Sequence, residues 1–157
     1  MLSKIKSYVI AILIPIAVGL LSAFFTRNNM DLYQSIVKPP LAPPAILFPI
    51  VWTILYTLMG ISSAIVYNSD ADSEDKKQAL LLYGLQLIVN FFWSILFFNQ
   101  RAFLLSLIWL VLLWILILWM IVCFYKINKT AAWLQIPYLL WVSFAGYLNL
   151  MIYLLNR

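Results

Sequence analysis

Five long apolar runs dominate the pattern of hydrophobic and polar positions. The runs are Tyr8–Phe25, Ile46–Tyr67, Ala79–Phe98, Phe103–Tyr125 and Ala131–Leu154, and every Lys, Arg, Asp and Glu lies outside them. Each run is about 18–24 residues long, which is enough for a helix to cross a hydrocarbon core of ~30 Å. None shows the alternation of lipid-facing and lumen-facing residues that marks a strand of an outer-membrane barrel. The pattern predicts an all-α integral membrane bundle of five transmembrane helices, forming a single domain over residues 1–157.

The loop between the first two runs, residues 26–45, is the longest connection. It contains Lys38-Pro39-Pro40 and Pro43-Pro44. Because each proline fixes its own φ and removes a hydrogen-bond donor, we expect a stiff, semi-extended segment. Long loops of this kind are often lids over a binding site, and a rigid connector is the alternative. The acidic segment Asn68–Lys77 predicts instead a solvated turn that caps the third helix.

Composition and charge support the membrane assignment. Hydrophobic residues make up 66% of the chain and charged residues 10%, whereas about a quarter of the residues of a soluble domain are charged. The net charge of +5 is attributed to lysines beside the spans that meet anionic lipid headgroups, and no nucleic-acid partner is expected. In the five-span topology, six Lys and Arg residues lie on the same side of the membrane as the amino terminus, and four lie on the opposite side. Because cytoplasmic loops carry an excess of Lys and Arg, this count favours a cytoplasmic amino terminus.

Missing residue types exclude several chemistries. Since the chain has no histidine, a zinc site, a Ser-His-Asp triad and a His-ligated haem each lack a key residue, and no metal or cofactor is expected. The single cysteine, Cys123, lies inside the fourth run and is interpreted as a small buried hydrophobe, with a haem thiolate as the alternative. No ionisable group lies inside a span, which argues against an ion-coupled transporter or pump.

Three of the runs carry polar or aromatic side chains at helical spacing. They are Trp52 and Tyr56 in the second run, Gln86, Asn90, Trp93 and Phe97 in the third, and Tyr138, Trp141, Ala145, Leu148 and Ile152 in the fifth. A spacing of three or four residues places each set on one helical face, and a polar face in lipid must look inward. The pattern predicts an aromatic pocket with an amide in it. The alternative is an interfacial aromatic belt together with amides that hydrogen-bond helices to one another.

These residues belong to three ordered stretches. The stretches are Leu32-Tyr33…Lys38-Pro39-Pro40…Pro43-Pro44…Val51-Trp52-Thr53-Ile54-Leu55-Tyr56, then Gln86-Leu87…Asn90-Phe91-Phe92-Trp93, then Pro137-Tyr138…Trp141…Phe144-Ala145…Leu148-Asn149. With them the chain resembles, over nearly its whole length, the tryptophan-rich sensory protein/translocator protein (TspO/MBR) family. Leu41 departs from the pattern, because the family usually has a tryptophan at this point of the loop.

The resemblance implies a porphyrin-binding cavity under the proline-rich loop, and in animal members a site for cholesterol and benzodiazepine-type drugs. It implies a homodimer through the third helix. The residues that we expect to contact the ligand are Trp52, Tyr56, Gln86, Asn90, Trp93, Tyr138, Trp141, Ala145 and Leu148, and those of the loop or rim are Tyr33, Lys38, Pro39, Pro43 and Pro44. A cholesterol-recognition pattern formed by Leu150, Tyr153 and Arg157 is weak evidence for sterol binding.

The resulting hypothesis is a receptor or sensor for protoporphyrin-like tetrapyrroles in a bacterial cell membrane. Asn90 is expected to hydrogen-bond the ligand, while Lys38 is expected to pair either with a propionate or with a lipid phosphate. One alternative function is light- and oxygen-dependent porphyrin degradation through Trp52 or Trp141. A second alternative is passive transport of tetrapyrroles or sterol-like lipids.

Overall fold

The computed structural model describes residues 1–157 and contains seven helices. They are α1 (Leu2–Thr26), α2 (Leu32–Ser35), α3 (Leu47–Tyr67), α4 (Ser73–Ser94), α5 (Phe103–Ile127), α6 (Lys129–Leu134) and α7 (Ile136–Leu155). The five spans predicted from the apolar runs are confirmed: α1, α3, α4 and α5 each form one span, and α6 with α7 forms the fifth. No strand is present. The protein is therefore an all-α, multi-pass membrane protein.

Two spans begin well before their apolar runs, and the fifth begins slightly before its run, at Lys129. The first helix starts at Leu2 and includes Lys4 and Lys6, since nothing in this segment breaks a helix where the lipid ends. The third span starts at Ser73, because the Asp72 carboxylate accepts a hydrogen bond from the Glu74 N–H at 3.2 Å and caps the helix. The acidic turn therefore caps the third span, as the sequence predicts.

The fifth span is broken, although its apolar run is continuous. α6 ends at Leu134 and α7 begins at Ile136, with Gln135 between them. Pro137 lies in the first turn of α7, where its missing N–H costs no helical hydrogen bond. Its ring would clash with the preceding turn of an unbroken helix, so the chain starts a new helix instead.

The first two spans, α1 and α3, are in close contact. A Cβ atom on Gly60 would lie 2.4 Å from the Ile12 Cα atom, so the backbones of these two helices meet where Gly60 has no side chain. Around α5, fully buried side chains such as Met59, Ile117, Met120 and Phe124 form the main core. In contrast, the α7 backbone packs closely against α5 and meets α3 chiefly through aromatic side chains, which leaves an interior space between the second and fifth spans.

Candidate functional site

A cavity of about 340 Å³ lies inside the bundle beneath the first loop. It falls at the lower end of the range for small-molecule sites. Four helices and the loop contribute to its lining, together with the π-helical turn Ile95–Asn99 that continues α4. The chief lining residues are Gly19, Ser22 and Thr26 from α1, Phe48, Trp52 and Tyr56 from α3, Asn90 and Trp93 from α4, Phe97 from the π-helical turn, Trp141, Ala145, Leu148 and Asn149 from α7, and Tyr33 from the loop. No Lys, Arg, Asp or Glu lines it. The cavity suits an uncharged, largely apolar molecular body.

Most of the residues predicted to contact a ligand line this one cavity. They are Trp52, Tyr56, Asn90, Trp93, Trp141, Ala145 and Leu148, and Tyr33 of the predicted loop or rim set lines it as well. They come from elements far apart in sequence, and the spacing of three and four residues turns each set toward the same interior space. The structure thus brings the three aromatic faces together.

Gln86 and Tyr138 differ from the prediction, because neither lines the cavity. Instead, the Tyr138 hydroxyl donates a 2.6 Å hydrogen bond to Gln86 Oε1, and both residues are almost fully buried. The Trp52 ring meets the Tyr138 ring edge to face, with 6.1 Å between centroids. This one hydrogen bond joins α4 and α7 beneath the cavity wall, and we call Gln86 and Tyr138 the floor pair.

Asn90 carries the polar contact best suited to a ligand. Its side-chain Nδ2 donates to the Tyr56 hydroxyl at 3.5 Å, a long and weak hydrogen bond. The Tyr56 ring lies 5.4 Å from the Trp52 ring at an interplanar angle of 30°. An amide held this loosely at the surface of an apolar cavity can exchange its protein partner for a ligand atom at little cost.

Asn149 is a site residue that the faces chosen from the sequence omit. Its Oδ1 accepts hydrogen bonds from Trp93 Nε1 and from the Ser106 hydroxyl, both at 3.1 Å, and its Nδ2 donates to the Phe103 carbonyl at 2.8 Å. This amide fixes the orientation of the Trp93 indole. The signal was present, because Asn149 follows Ala145 by four residues and so shares its face.

Phe48 and the small residues of α1 were also missed. The centroid of the Phe48 ring lies 6.0 Å from that of Trp141 and 5.1 Å from that of Tyr33. Phe48 of the second span thus contacts both the fifth span and the loop. Its spacing of four residues before Trp52 repeats the spacing of Trp52 and Tyr56, and would have revealed it. On α1, a Cβ atom at Gly19 would lie 2.4 Å from the Tyr56 ring, so the absence of a side chain at Gly19 leaves room for that ring.

The first loop covers the cavity and is not wholly extended. It contains a 3₁₀ turn at Arg27–Asn29 and the short helix α2, which corrects the expectation of a semi-extended segment for this part of the loop. Since Met30, Tyr33 and Ala45 of this loop line the cavity, we call residues 26–45 the lid.

Hydrogen bonds tie the lid together and to the bundle. The Tyr33 hydroxyl donates to the Pro43 carbonyl at 2.6 Å, and burial raises the pKa of this phenol. The Tyr147 hydroxyl of α7 donates to the Pro40 carbonyl at 2.9 Å. These contacts hold the lid closed over the cavity.

The remaining rim residues do not line the cavity. Lys38, Pro39, Pro43 and Pro44 are absent from the lining. Lys38 is exposed, and its Nζ lies 5.1 Å from the centroid of the Tyr33 ring, which does line the cavity. The structure therefore places one cation at the outer edge of the lid, beside an aromatic residue of the site.

Some residues of the cavity lining are also exposed on the outside of the bundle. They are Leu20 and Ala23 of α1 and Pro49 and Thr53 of α3. On this side the wall of the cavity is therefore only one side chain thick.

Comparison with known proteins gives a consistent result. The TspO/MBR family matches residues 11–155. The chain is 38% identical to the tryptophan-rich protein TspO of Chlorobaculum tepidum, over 98% of each sequence. It is 38% identical to the tryptophan-rich protein TspO of Archaeoglobus fulgidus, over 98% of this chain and 99% of the relative. It is 33% identical to the translocator protein of Bos taurus, over 87% of this chain and 82% of the relative.

Proposed function

Since the chain belongs to the TspO/MBR family, we propose that this membrane receptor of the TspO kind binds a porphyrin, a flat tetrapyrrole of the protoporphyrin type, in the cavity under the lid. The observation that carries the proposal is the uncharged cavity that brings Trp52, Trp93 and Trp141 together with a single weakly bonded amide, Asn90. Large flat π-systems are held well by indole faces and edges. An isolated amide gives the ring system one polar contact that orients it.

The charge of a porphyrin lies on its propionates and must remain outside such a cavity. Burying a carboxylate without a partner is costly, and no cation lines the interior. Lys38 at the edge of the lid supplies a cation within reach of solvent. We therefore place the ring in the cavity and the propionates toward Lys38, with a lipid phosphate as the competing partner of this lysine.

Direct binding tests the proposal. Protoporphyrin IX is titrated in the dark into protein held in lipid nanodiscs, and tryptophan fluorescence is followed. We expect saturable quenching in the wild type and its loss in Ala145→Phe, which fills the cavity from α7. Trp119→Phe is the matched control, because Trp119 is 51% exposed and lies outside the lining. Equal quenching in the wild type and in Ala145→Phe contradicts binding in this cavity.

One observation favours a second candidate function, light- and oxygen-dependent degradation of the bound porphyrin. Trp52 and Trp141 both line the cavity, so an oxidisable indole would lie against the ring. The porphyrin would act as photosensitiser and molecular oxygen as oxidant, which requires no acid, base or metal from the protein. The test is illumination of complexes formed by the wild type, Trp52→Phe and Trp141→Phe. Bleaching slowed in a variant that still binds supports degradation, and equal bleaching in all three leaves binding alone.

The cellular setting and the assembly are part of the proposal. We propose that the protein resides in a bacterial cell membrane, and its 38% identity to the protein of the bacterium Chlorobaculum tepidum supports this choice. We further propose a homodimer through α4, whose outer face is apolar. That face consists of Leu81, Gly84, Leu85, Ile88 and Phe92.

A further inference from the structure

Several polar atoms in the half of the bundle away from the lid have no hydrogen-bond partner in the protein. They are the Tyr83 hydroxyl, Gln86 Nε2, and both polar atoms of the Gln135 side chain. Gln86 and Gln135 are fully buried, and Tyr83 is 7% exposed. Buried polar groups are almost always paired, either within the protein or with an ordered water molecule. A group of them in one region indicates a polar ligand that completes their hydrogen bonds.

Helix register places two of these atoms, the Tyr83 hydroxyl and Gln86 Nε2, at about the height of Gln135. α4 and α7 cross the membrane in the same direction, since one span separates them, and the floor pair of Gln86 and Tyr138 fixes their relative height. Tyr83 precedes Gln86 by three residues, and Gln135 precedes Tyr138 by three. Both therefore lie about one helical turn from the floor pair, toward the same face of the membrane.

The antiparallel helix α3 supplies a further polar group at this height. Its Tyr56 lies beside Asn90 of α4, with 3.5 Å between hydroxyl and amide. Ser63 follows Tyr56 by seven residues and Tyr83 precedes Asn90 by seven, so both lie roughly 10 Å from that contact in the same direction. The Ser63 hydroxyl donates to the Gly60 carbonyl, so its oxygen keeps the capacity to accept a hydrogen bond.

We propose that Ser63, Tyr83, Gln86 and Gln135 form an internal water site beneath the floor pair. None of these side chains is charged, and together they offer both donors and acceptors, which fits water and not an ion. Ordered water gives Gln86 Nε2 and the Gln135 amide the partners that the protein does not supply. Gln86 and Tyr138 then form a partition, with an apolar ligand cavity on the lid side and a hydrated site on the other.

Solid-state NMR of the protein in lipid bilayers tests for this water directly. Glutamine side chains are labelled with ¹⁵N, and magnetisation is transferred from water to the amides, with assignments from Gln86→Met and Gln135→Met. We expect both buried amides to receive water magnetisation within milliseconds, as do the exposed Gln34, Gln78 and Gln100. The dry reference is the ¹⁵N-labelled indole of Trp109, whose N–H donates to the Val89 carbonyl at 2.7 Å. Transfer to Gln86 and Gln135 as slow as to Trp109 overturns the proposal.

Thermal unfolding of Gln135→Met gives a second, independent readout. Methionine has nearly the shape of glutamine without its polar atoms. If Gln135 is hydrogen-bonded to water shared with its neighbours, the substitution removes their partner and lowers Tm. If the amide is dry and unpaired, its removal relieves a penalty, so a raised Tm overturns the proposal. Gln78→Met at the exposed start of α4 is the control.

The proposed water site does not depend on the cavity ligand. The affinity of Gln135→Met for porphyrin is expected to stay within about twofold of the wild type, since Gln135 lies outside the lining.

Discussion

The side chain of Asn156, the residue that follows α7, forms two hydrogen bonds with the backbone of Val37 in the lid. The Val37 N–H donates to Asn156 Oδ1 at 2.9 Å, and Asn156 Nδ2 donates to the Val37 carbonyl at 3.0 Å. The two residues are 119 positions apart. The amide thus acts like a paired peptide group and fastens the middle of the lid to the end of the fifth span.

Asn156→Ala is expected to loosen the lid at this point. The Val37 amide loses its acceptor, and a hydrogen bond is worth about 1 kcal/mol, so hydrogen exchange at Val37 should accelerate about fivefold. Hydrogen exchange read by mass spectrometry or NMR measures this. Tyr147→Phe is the control, because it removes the bond to the Pro40 carbonyl and leaves that to Val37 intact. Unchanged exchange at Val37 in Asn156→Ala would show that this contact does not hold the lid.

Gly19→Ala is expected to damage the site although it adds only one methyl group. The new Cβ atom would lie 2.4 Å from the Tyr56 ring, which must move away from Asn90 or from Trp52. Overpacking of this kind costs about 1–3 kcal/mol, so Tm should fall and porphyrin affinity should weaken.

Gly84→Ala is the matched control for this effect. It also replaces a helical glycine, but no atom of the same chain lies within 4 Å of its added Cβ. In nanodiscs that hold one protomer, where the proposed α4 dimer cannot form, helix propensity alone therefore predicts a gain of up to about 1 kcal/mol. The prediction fails if both substitutions change Tm in the same direction by similar amounts.

The apolar runs were sufficient to predict the five spans, since lipid leaves few other structures for such segments. Helical spacing also predicted the shared cavity through Trp52, Asn90 and Trp141. The break at Gln135 was harder to predict, because a proline in a span can kink a helix as well as start one. The floor pair was beyond prediction for a further reason: spacing shows that Gln86 and Tyr138 face inward, but not how deep the cavity extends. The role of Gly19 depends on a contact with another helix, which no local pattern of the sequence contains.

The two buried asparagines are expected to have separable roles. Asn149 bonds Trp93, Ser106 and the Phe103 carbonyl, so Asn149→Leu should leave several buried groups unpaired and lower the free energy of unfolding by about 2 kcal/mol or more. Asn90 has one bond of 3.5 Å, so Asn90→Leu should change stability by less than about 1 kcal/mol and instead weaken porphyrin binding. Thermal unfolding and fluorescence titration of both variants measure the difference. Equal loss of stability would assign Asn90 a structural role.

The outer face of α4 is expected to form the homodimer contact. Gly84 presents open space on this face, and small residues let membrane helices approach closely. Gly84→Cys in a Cys123→Ala background should therefore form a disulfide-linked dimer on mild oxidation in membranes. Leu104→Cys, on the exposed side of α5, is the control that should remain monomeric. Crosslinking of neither variant, together with a monomeric mass in nanodiscs, would contradict the α4 dimer.

Lys38 at the rim has two candidate partners, a porphyrin propionate and a lipid phosphate. Comparing protoporphyrin IX with its dimethyl ester distinguishes them. If Lys38 pairs with a propionate, Lys38→Met should weaken protoporphyrin IX binding by up to about fivefold, because an exposed ion pair is worth about 0.2–1 kcal/mol. The same substitution should leave the affinity for the dimethyl ester unchanged, since that ligand has no carboxylate. Lys126→Met provides a control that removes a cation from the last turn of α5, away from the lid. If Lys38 pairs with lipid phosphate instead, both porphyrins should bind Lys38→Met as they bind the wild type, and only the preference for anionic lipid should change. A parallel loss of affinity for acid and ester would mean that Lys38 acts through the Tyr33 ring, 5.1 Å from its Nζ, and not through charge pairing.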